Sequence, residues 1–318
     1  MSVEAFRQSL ADAGLLVDGG LNGVYQRSFA YESIVRGIES YVSRAGQVPE
    51  DRRFFFAPIM PQSTLVTSGY VRSFPDLMGI VSSFAGTDRE LPALLASLDA
   101  GEDWTTHTSV TDVALCSAAC HNLYPNFAHQ TIPATGLLYE VQGVCFRHEP
   151  SVDPARMQSF RMHEFVYMGT PSGALAHRES WIALATRLLS DLGLTLDTVV
   201  ANDPFFGRVG NILANGQLEK ELKFEVTAPI SSPNPGAIAS GNYHEDHLAL
   251  DFDISVEGGG SMHSACFAFG MDRIALALIN AHGTDLAVWP APEIHAVTSV
   301  TSRPTPSGST TWPAPWAI

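Results

Sequence analysis

The sequence predicts an α+β chain in which antiparallel strands are flanked by helices. Three observations predict it. An apolar run at residues 137–149, rich in Leu, Tyr, Val and Phe, is followed by a polar, proline-bearing loop at 150–157 and a second apolar run at 160–169, the pattern of a hairpin. Residues 174–192 space Trp181, Leu184, Leu188 and Leu189 on one helical face, with Arg178 and Arg187 outside. Phe269-Gly270-Met271-Asp272-Arg273-Ile274-Ala275-Leu276 reads as a glycine-tight junction from strand to apolar helix, carrying one cation.

The remaining elements follow in order. Residues 3–14 and 28–44 have helical spacing, and Phe29, Ile34, Ile38, Tyr41 and Val42 would line the inner face of the second. Gly19-Gly20 and Gly23 break the chain between them. Phe54-Phe55-Phe56-Ala57-Pro58 is a short strand ended by proline, and residues 108–118 read as another. Asp203-Pro204-Phe205-Phe206-Gly207-Arg208 is a turn-rich link. Leu222–Val226, Leu248–Val256 and Ser264–Phe269 are further strands, the last preceded by a tight turn at Gly258-Gly259-Gly260. Residues 1–290 thus form one domain with a helical insertion at about 171–200. Residues 291–318 form a Pro-, Ser- and Thr-rich tail whose composition cannot bury a core, so disorder is expected there.

Composition bounds the function. A chain of 318 residues, 45% hydrophobic, can bury a full-sized core. It has no run of eighteen apolar residues and no basic segment leading an apolar stretch at its amino terminus, so neither a membrane span nor a secretory signal is read, and a cytoplasmic location is expected. Formal charge is −15, with 33 acidic against 18 basic residues. A protein that grips nucleic acid across many phosphates needs basicity, so tRNA is not expected as the main partner. Four scattered cysteines, Cys116, Cys120, Cys145 and Cys266, contain no CxxC pair and make no disulfide scaffold. From composition alone each reads as a small buried hydrophobe.

Two stretches carry the chemistry. Cys145-Phe146-Arg147-His148-Glu149 places Arg147 and Glu149 two apart, on one face of a strand, and Phe160-Arg161-Met162-His163-Glu164-Phe165 returns beside it. With the Gly-Met-Asp-Arg junction they resemble motifs 2 and 3 of class II aminoacyl-tRNA synthetases, which hold a bent ATP on an antiparallel sheet. The helix at 28–44 and the strand ending at Pro58 look like motif 1, which builds the dimer interface of that family. In-line attack on an α-phosphate needs positioned positive charge more than acid–base help, and arginine's planar fork suits it. By resemblance Arg147 meets the α-phosphate, Glu149 reads the adenine amino group and Arg273 meets the γ-phosphate. Arg161 and Glu225 join this ATP-binding set, Glu225 as a carboxylate for Mg²⁺ beside Lys223. A solvated strand edge is the other reading of Glu225.

Across about Phe54 to Trp289 the chain is similar to one branch of this superfamily, the amino acid:[carrier protein] ligases, truncated homologues of the zinc-containing, methanogen-type seryl-tRNA synthetases. The matching residues include Ser68-Gly69-Tyr70-Val71-Arg72-Ser73-Phe74-Pro75, Ala118-Ala119-Cys120, Asp203 to Arg208, Lys223-Phe224-Glu225, Ser240-Gly241-Asn242-Tyr243-His244 and His263-Ser264-Ala265-Cys266. The resemblance implies a class II sheet flanked by helices and lacking the tRNA-binding coiled-coil arm. It implies that Cys120, Glu164 and Cys266 bind Zn²⁺, that zinc captures the α-amino group of glycine or alanine, and that the adenylate passes to the phosphopantetheine thiol of a carrier protein. It also implies a homodimer. Cys116 competes with Cys120 as first ligand, and motif 3 carries Asp272 where glutamate is usual. Arg178 and Arg187 either meet the acidic carrier protein or form a solvated helix face. His244-Glu245-Asp246-His247 reads as a metal cluster or as a polar turn of a nucleotide site, with His263 nearby. The alternatives for the whole chain are a seryl-type aminoacyl-tRNA ligase and a non-catalytic synthetase paralogue.

Overall fold

The computed structural model describes residues 1–289; the expectation for the carboxy-terminal tail lies outside the described residues. Its frame is a seven-stranded sheet built from β1 (Arg53–Phe56), β2 (Leu137–Phe146), β3 (Ser159–Gly169), β4 (Asp197–Ala201), β5 (Lys223–Pro229), β6 (Pro235–Glu245) and β7 (His263–Gly270). The strands lie in the order β4-β5-β6-β7-β3-β2-β1. All neighbours are antiparallel except β1 and β2, which are parallel.

One face is covered by α1 (Phe29–Gly46), α2 (Pro171–Asp191) and α4 (Met271–His282). Alternation along the strands supplies the partners for these helices: Phe165, Phe267 and Phe269 stand on the helix side, fully buried with Ile34, Ile38, Val42 and Leu276. Trp181 of α2 stacks on Phe165 with ring centroids 3.9 Å apart. A polar start signal sets the origin of α2 ahead of the apolar periodicity: Thr170 accepts a hydrogen bond from the Gly173 N–H, and Pro171 occupies the first turn.

The opposite face is only partly covered. A three-stranded antiparallel sheet (Ile59–Pro61, Ile80–Ser83, Ser109–Leu115) and short helices at Gln62–Thr67 and His247–Phe252 pack there around Leu65, Tyr124, Val166 and Leu248. Between them and α3 (Gly207–Glu219) a cavity remains open.

Several expectations need correction. The strand expected at 248–256 is a short helix (His247–Phe252) followed by only a two-residue strand, Ser255–Val256, paired with Thr131–Ile132; the strand expected at 108–118 is present and lies in the small sheet. Phe29 is 83% exposed, because it opens α1 before the helix reaches the sheet. In the stretch at about 171–200, α2 lies along the sheet and β4 joins its edge. The two longest helices, 21 and 18 residues, both pack on the core, so no helical arm extends from the described residues. Among those residues no helix is long and apolar enough to cross a membrane.

Candidate active site

Register decides which side chains meet. Val141 and Ala268 both pair with Glu164, Asn242 pairs with Cys266 and with Lys223, and Ser240 pairs with Glu225. Cross-strand partners share a face, so Lys223, Glu225, Asn242, Glu164 and Cys266 all stand on the face the long helices leave free. The short turn Ala119–Asn122 brings Cys120 over them, and its backbone N–H donates to Glu164 Oε1 at 3.2 Å.

Cys120, Glu164 and Cys266 are buried, and one ligand atom from each lies within 4.8 Å of the others. Two thiols and a carboxylate suit a borderline-soft divalent cation such as zinc, and three protein donors leave one position open. Burial, then the Cys266 charge, raises the Glu164 carboxyl to about 8. The hydrogen bond to Cys266 and burial push the Cys120 thiol up, whereas the same bond, with His244 beside it, holds Cys266 well below the usual thiol range. Three mutually repelling donors packed in a dry site gain from a shared cation, so the residues fit the metal. Cys116 is not among them: its thiol donates to the Ala118 carbonyl at 3.3 Å and bonds with Cys145, another buried thiol.

The same face opens into a cavity of about 570 Å³ lined by Arg147, Glu149, Lys223, Arg273 and the three donors. The strand expected to reach Glu149 ends at Phe146, but Arg147 still faces the cavity, its guanidinium 5.3 Å over the Phe160 ring and its Nε buried without a partner. Arg273 donates to the Ala155 and Ala237 carbonyls at 2.9 and 3.0 Å. Burial first, then the nearby Arg147 and Arg156, disfavours its charged form. Glu149 answers Arg156 at 3.5 Å. The Arg147 and Arg273 guanidinium groups converge on one cavity and make a site for a polyanion. Beside them Lys223 bonds to Asp203 and lies 3.2 Å from Glu225.

Two side chains are placed otherwise than expected. Arg161 is three residues from Glu164, so the period of two turns it to the helix face. It borders the cavity, but its guanidinium is paired with Asp272 and Glu32, each at 2.6 Å, which favours a structural role over nucleotide binding. Arg178 is buried, not outside: it spans the Phe224 ring at 4.9 Å and donates to the Glu221 carbonyl at 2.6 Å. Arg187 does remain exposed.

Sequence reasoning placed Lys223 beside Glu225 and read His244 in a metal cluster or polar turn, but gave neither a place among the site residues. The signal for each was parity, since Lys223 and Glu225, like Asn242 and His244, are two apart on strands of the open face. His244 Nε2 lies 3.6 Å from Cys266 Sγ, while His247 pairs with Asp251 and His263 with the Tyr243 hydroxyl. The four residues from His244 to His247 are therefore not one cluster.

No family model matches this chain. The amino acid–[acyl-carrier-protein] ligase 2 of Bradyrhizobium diazoefficiens is 44% identical over 283 residues, covering 88% of this chain and 84% of that protein. Among solved structures, Methanopyrus kandleri seryl-tRNA synthetase, crystallised with Aquifex aeolicus tRNASec as "A. aeolicus tRNASec in complex with M. kandleri SerRS", superposes with a TM-score of 0.78 at 17% identity. That match covers 92% of this chain and 60% of the synthetase. Pyrococcus horikoshii seryl-tRNA synthetase complexed with ATP superposes with a TM-score of 0.63 at 13% identity, over 87% of this chain and 58% of the other. The chain spans about three-fifths of the length of these synthetases and shares the fold of their class II core. By its identity to the ligase over most of both lengths, the chain belongs to the amino acid–[acyl-carrier-protein] ligases, enzymes that join an amino acid to a carrier protein.

Proposed function

We propose that this enzyme activates a small amino acid, glycine or alanine, with Mg·ATP to the aminoacyl adenylate and passes it to the phosphopantetheine thiol of its carrier protein. One observation carries the reading: two thiols and a carboxylate within 4.8 Å of one another open on the same cavity as Arg147 and Arg273. Zinc held by Cys120, Glu164 and Cys266 would supply a Lewis-acid position for the uncharged α-amino group. Arg147 would bind the α-phosphate and draw charge off it as the amino-acid carboxylate attacks. Arg273, anchored by two carbonyls, would hold the γ-phosphate so that pyrophosphate leaves in line. Glu149 would accept from the adenine amino group, and Glu225, adjoining Lys223, would help hold Mg²⁺.

The thiol arm would enter past α3, which rims the cavity with Ile212 71% and Leu213 48% exposed. A homodimer through the edge strand β1 completes the proposal, in which the acceptor is the carrier-protein thiol and not tRNA. The test is amino-acid-dependent ATP–pyrophosphate exchange across the twenty amino acids, with metal measured on the same sample. Exchange with glycine or alanine and about one zinc per chain is expected. Exchange confined to large amino acids, or undiminished in metal-free protein, would overturn it.

A further inference from the structure

We propose that His244 sets amino-acid specificity: its imidazole is a fixed wall beside the metal donors that admits a small α-substituent and excludes a larger one. The inference rests on the activation reading above.

The strand is bent to aim this residue. In the β6–β7 ladder Tyr243 pairs with Ala265 and Glu245 with Ser264, so His244 is the extra residue of a bulge, and Glu245 takes the left-handed conformation (φ 52°) beside it. Bulges re-aim a side chain at the cost of a ladder interruption. Here the re-aimed group is clamped. Ser264 Oγ lies 3.0 Å from His244 Nδ1, and the Tyr124 hydroxyl, 3.4 Å from the same nitrogen, donates to Ser264 Oγ at 3.2 Å. Tyr124 is itself fully buried and stacked on Phe252.

The ring borders the donor set without joining it. Nε2 is 3.6 Å from Cys266 Sγ, yet His244 is not part of the group of donors that lie within 4.8 Å of one another. An amino acid whose nitrogen takes the open metal position has its Cα one bond beyond that nitrogen. Its carboxylate must face the arginines, so its substituent is left to the groups beside Cys266. Those are the Asn242 amide, 3.4 Å from Sγ, and the bulkier imidazole of His244. A clamped ring cannot yield to a branched side chain, so volume is discriminated.

The test uses zinc-loaded wild type, His244→Ala and His244→Phe. Calorimetry measures binding of glycyl, alanyl, 2-aminobutyryl and valyl sulfamoyl-adenosines, non-reactive adenylate analogues; exchange kinetics and metal per chain are read in parallel. Wild type should bind the small analogues and reject the valyl one. His244→Ala should narrow that discrimination by about 10–200-fold, the worth of a methylene in a pocket, with metal retained. His244→Phe, similar in bulk but without ring nitrogens, should keep it. Unchanged discrimination in metal-loaded His244→Ala overturns the wall. Loss of metal in both variants also overturns it, because His244 would then serve Cys266 alone. Wild type that binds no analogue and exchanges with no amino acid removes the activation reading instead.

Discussion

Cys266 receives hydrogen-bonding contacts from Cys120, Asn242 and His244, more than a thiol needs merely to fill space. Cys266→Ser keeps the volume and a hydrogen-bonding atom but removes the soft donor. We predict that bound zinc falls from about one per chain to none and that amino-acid activation is lost, while the circular-dichroism spectrum and unfolding midpoint barely move. Full exchange activity in the metal-free variant would sink the metal's role. Arg273 presents a complementary case. Its anchors are backbone carbonyls of the loop after β2 and of β6, so truncation leaves two acceptors unpaired and strips positive charge from the polyanion site. Arg273→Ala should slow ATP–pyrophosphate exchange by about 10²–10³-fold, the usual worth of one preorganised charge-stabilising donor. Amino-acid binding measured without ATP should change little; equal loss of both would place Arg273 in general packing.

At the scale of elements, ion pairs fasten helices to the helix-side face of the sheet. Arg161 of β3 joins Asp272 at the start of α4 and Glu32 of α1, and Arg27 reaches Asp272 at 3.2 Å. Arg161→Ala leaves Asp272 buried and short of a partner, so we predict a loss of about 3–5 kcal/mol in chemical denaturation. A stability change under 1 kcal/mol together with a large rise in KM for ATP would restore the nucleotide role. Glu140 of β2 collects His163 of β3, Ser43 of α1 and Arg53 of β1. Although burial raises it, bonds from His163 and Ser43 hold its carboxyl at about 2 against an ordinary 4.5. Its stabilisation is complete above 4.5 and disappears as pH falls through 2, so acid unfolding between those limits should be steeper than in Glu140→Gln; coincident acid limbs would refute this. Periodicity made β2, β7 and α1 legible, because each buries a largely apolar face, and β3 was legible as the return run of the hairpin. It could not disclose β6, whose Pro235-Gly236 start and Ser240-Gly241-Asn242 segment carry loop chemistry within a central strand. Period two puts Arg161 and Glu164 on opposite faces of β3, but it could not reveal which of the two residues faces the helices. Cys120 and Cys266 were joined through resemblance, since no local spacing links residues from a turn and a distant strand.

For the whole molecule the open question is what meets the end of the sheet. β1 has one strand neighbour, β2, among the described residues, and its other edge offers unpaired backbone groups. The side chains there are aromatic: Phe55 is 67% exposed and Phe54 43%. The chain continues from β1 into the small sheet, which leaves Ile59 48% and Val110 66% exposed. A bare edge of this kind is normally blunted by charge, proline or cover, and an apolar surface left open marks an association site. Arg53 is the one charge on the strand, and it is turned to Glu140. A second copy of the chain, meeting the first about a twofold axis, would cover both edges at once and bury both pairs of phenylalanines. We therefore predict twice the chain mass in light scattering at micromolar concentration. Phe55→Glu should weaken the dimer by about 2 kcal/mol or more, roughly 30-fold in Kd, while each chain remains folded. A particle of single-chain mass at every accessible concentration, or a Phe55→Glu variant as dimeric as wild type, would require another cover for this edge.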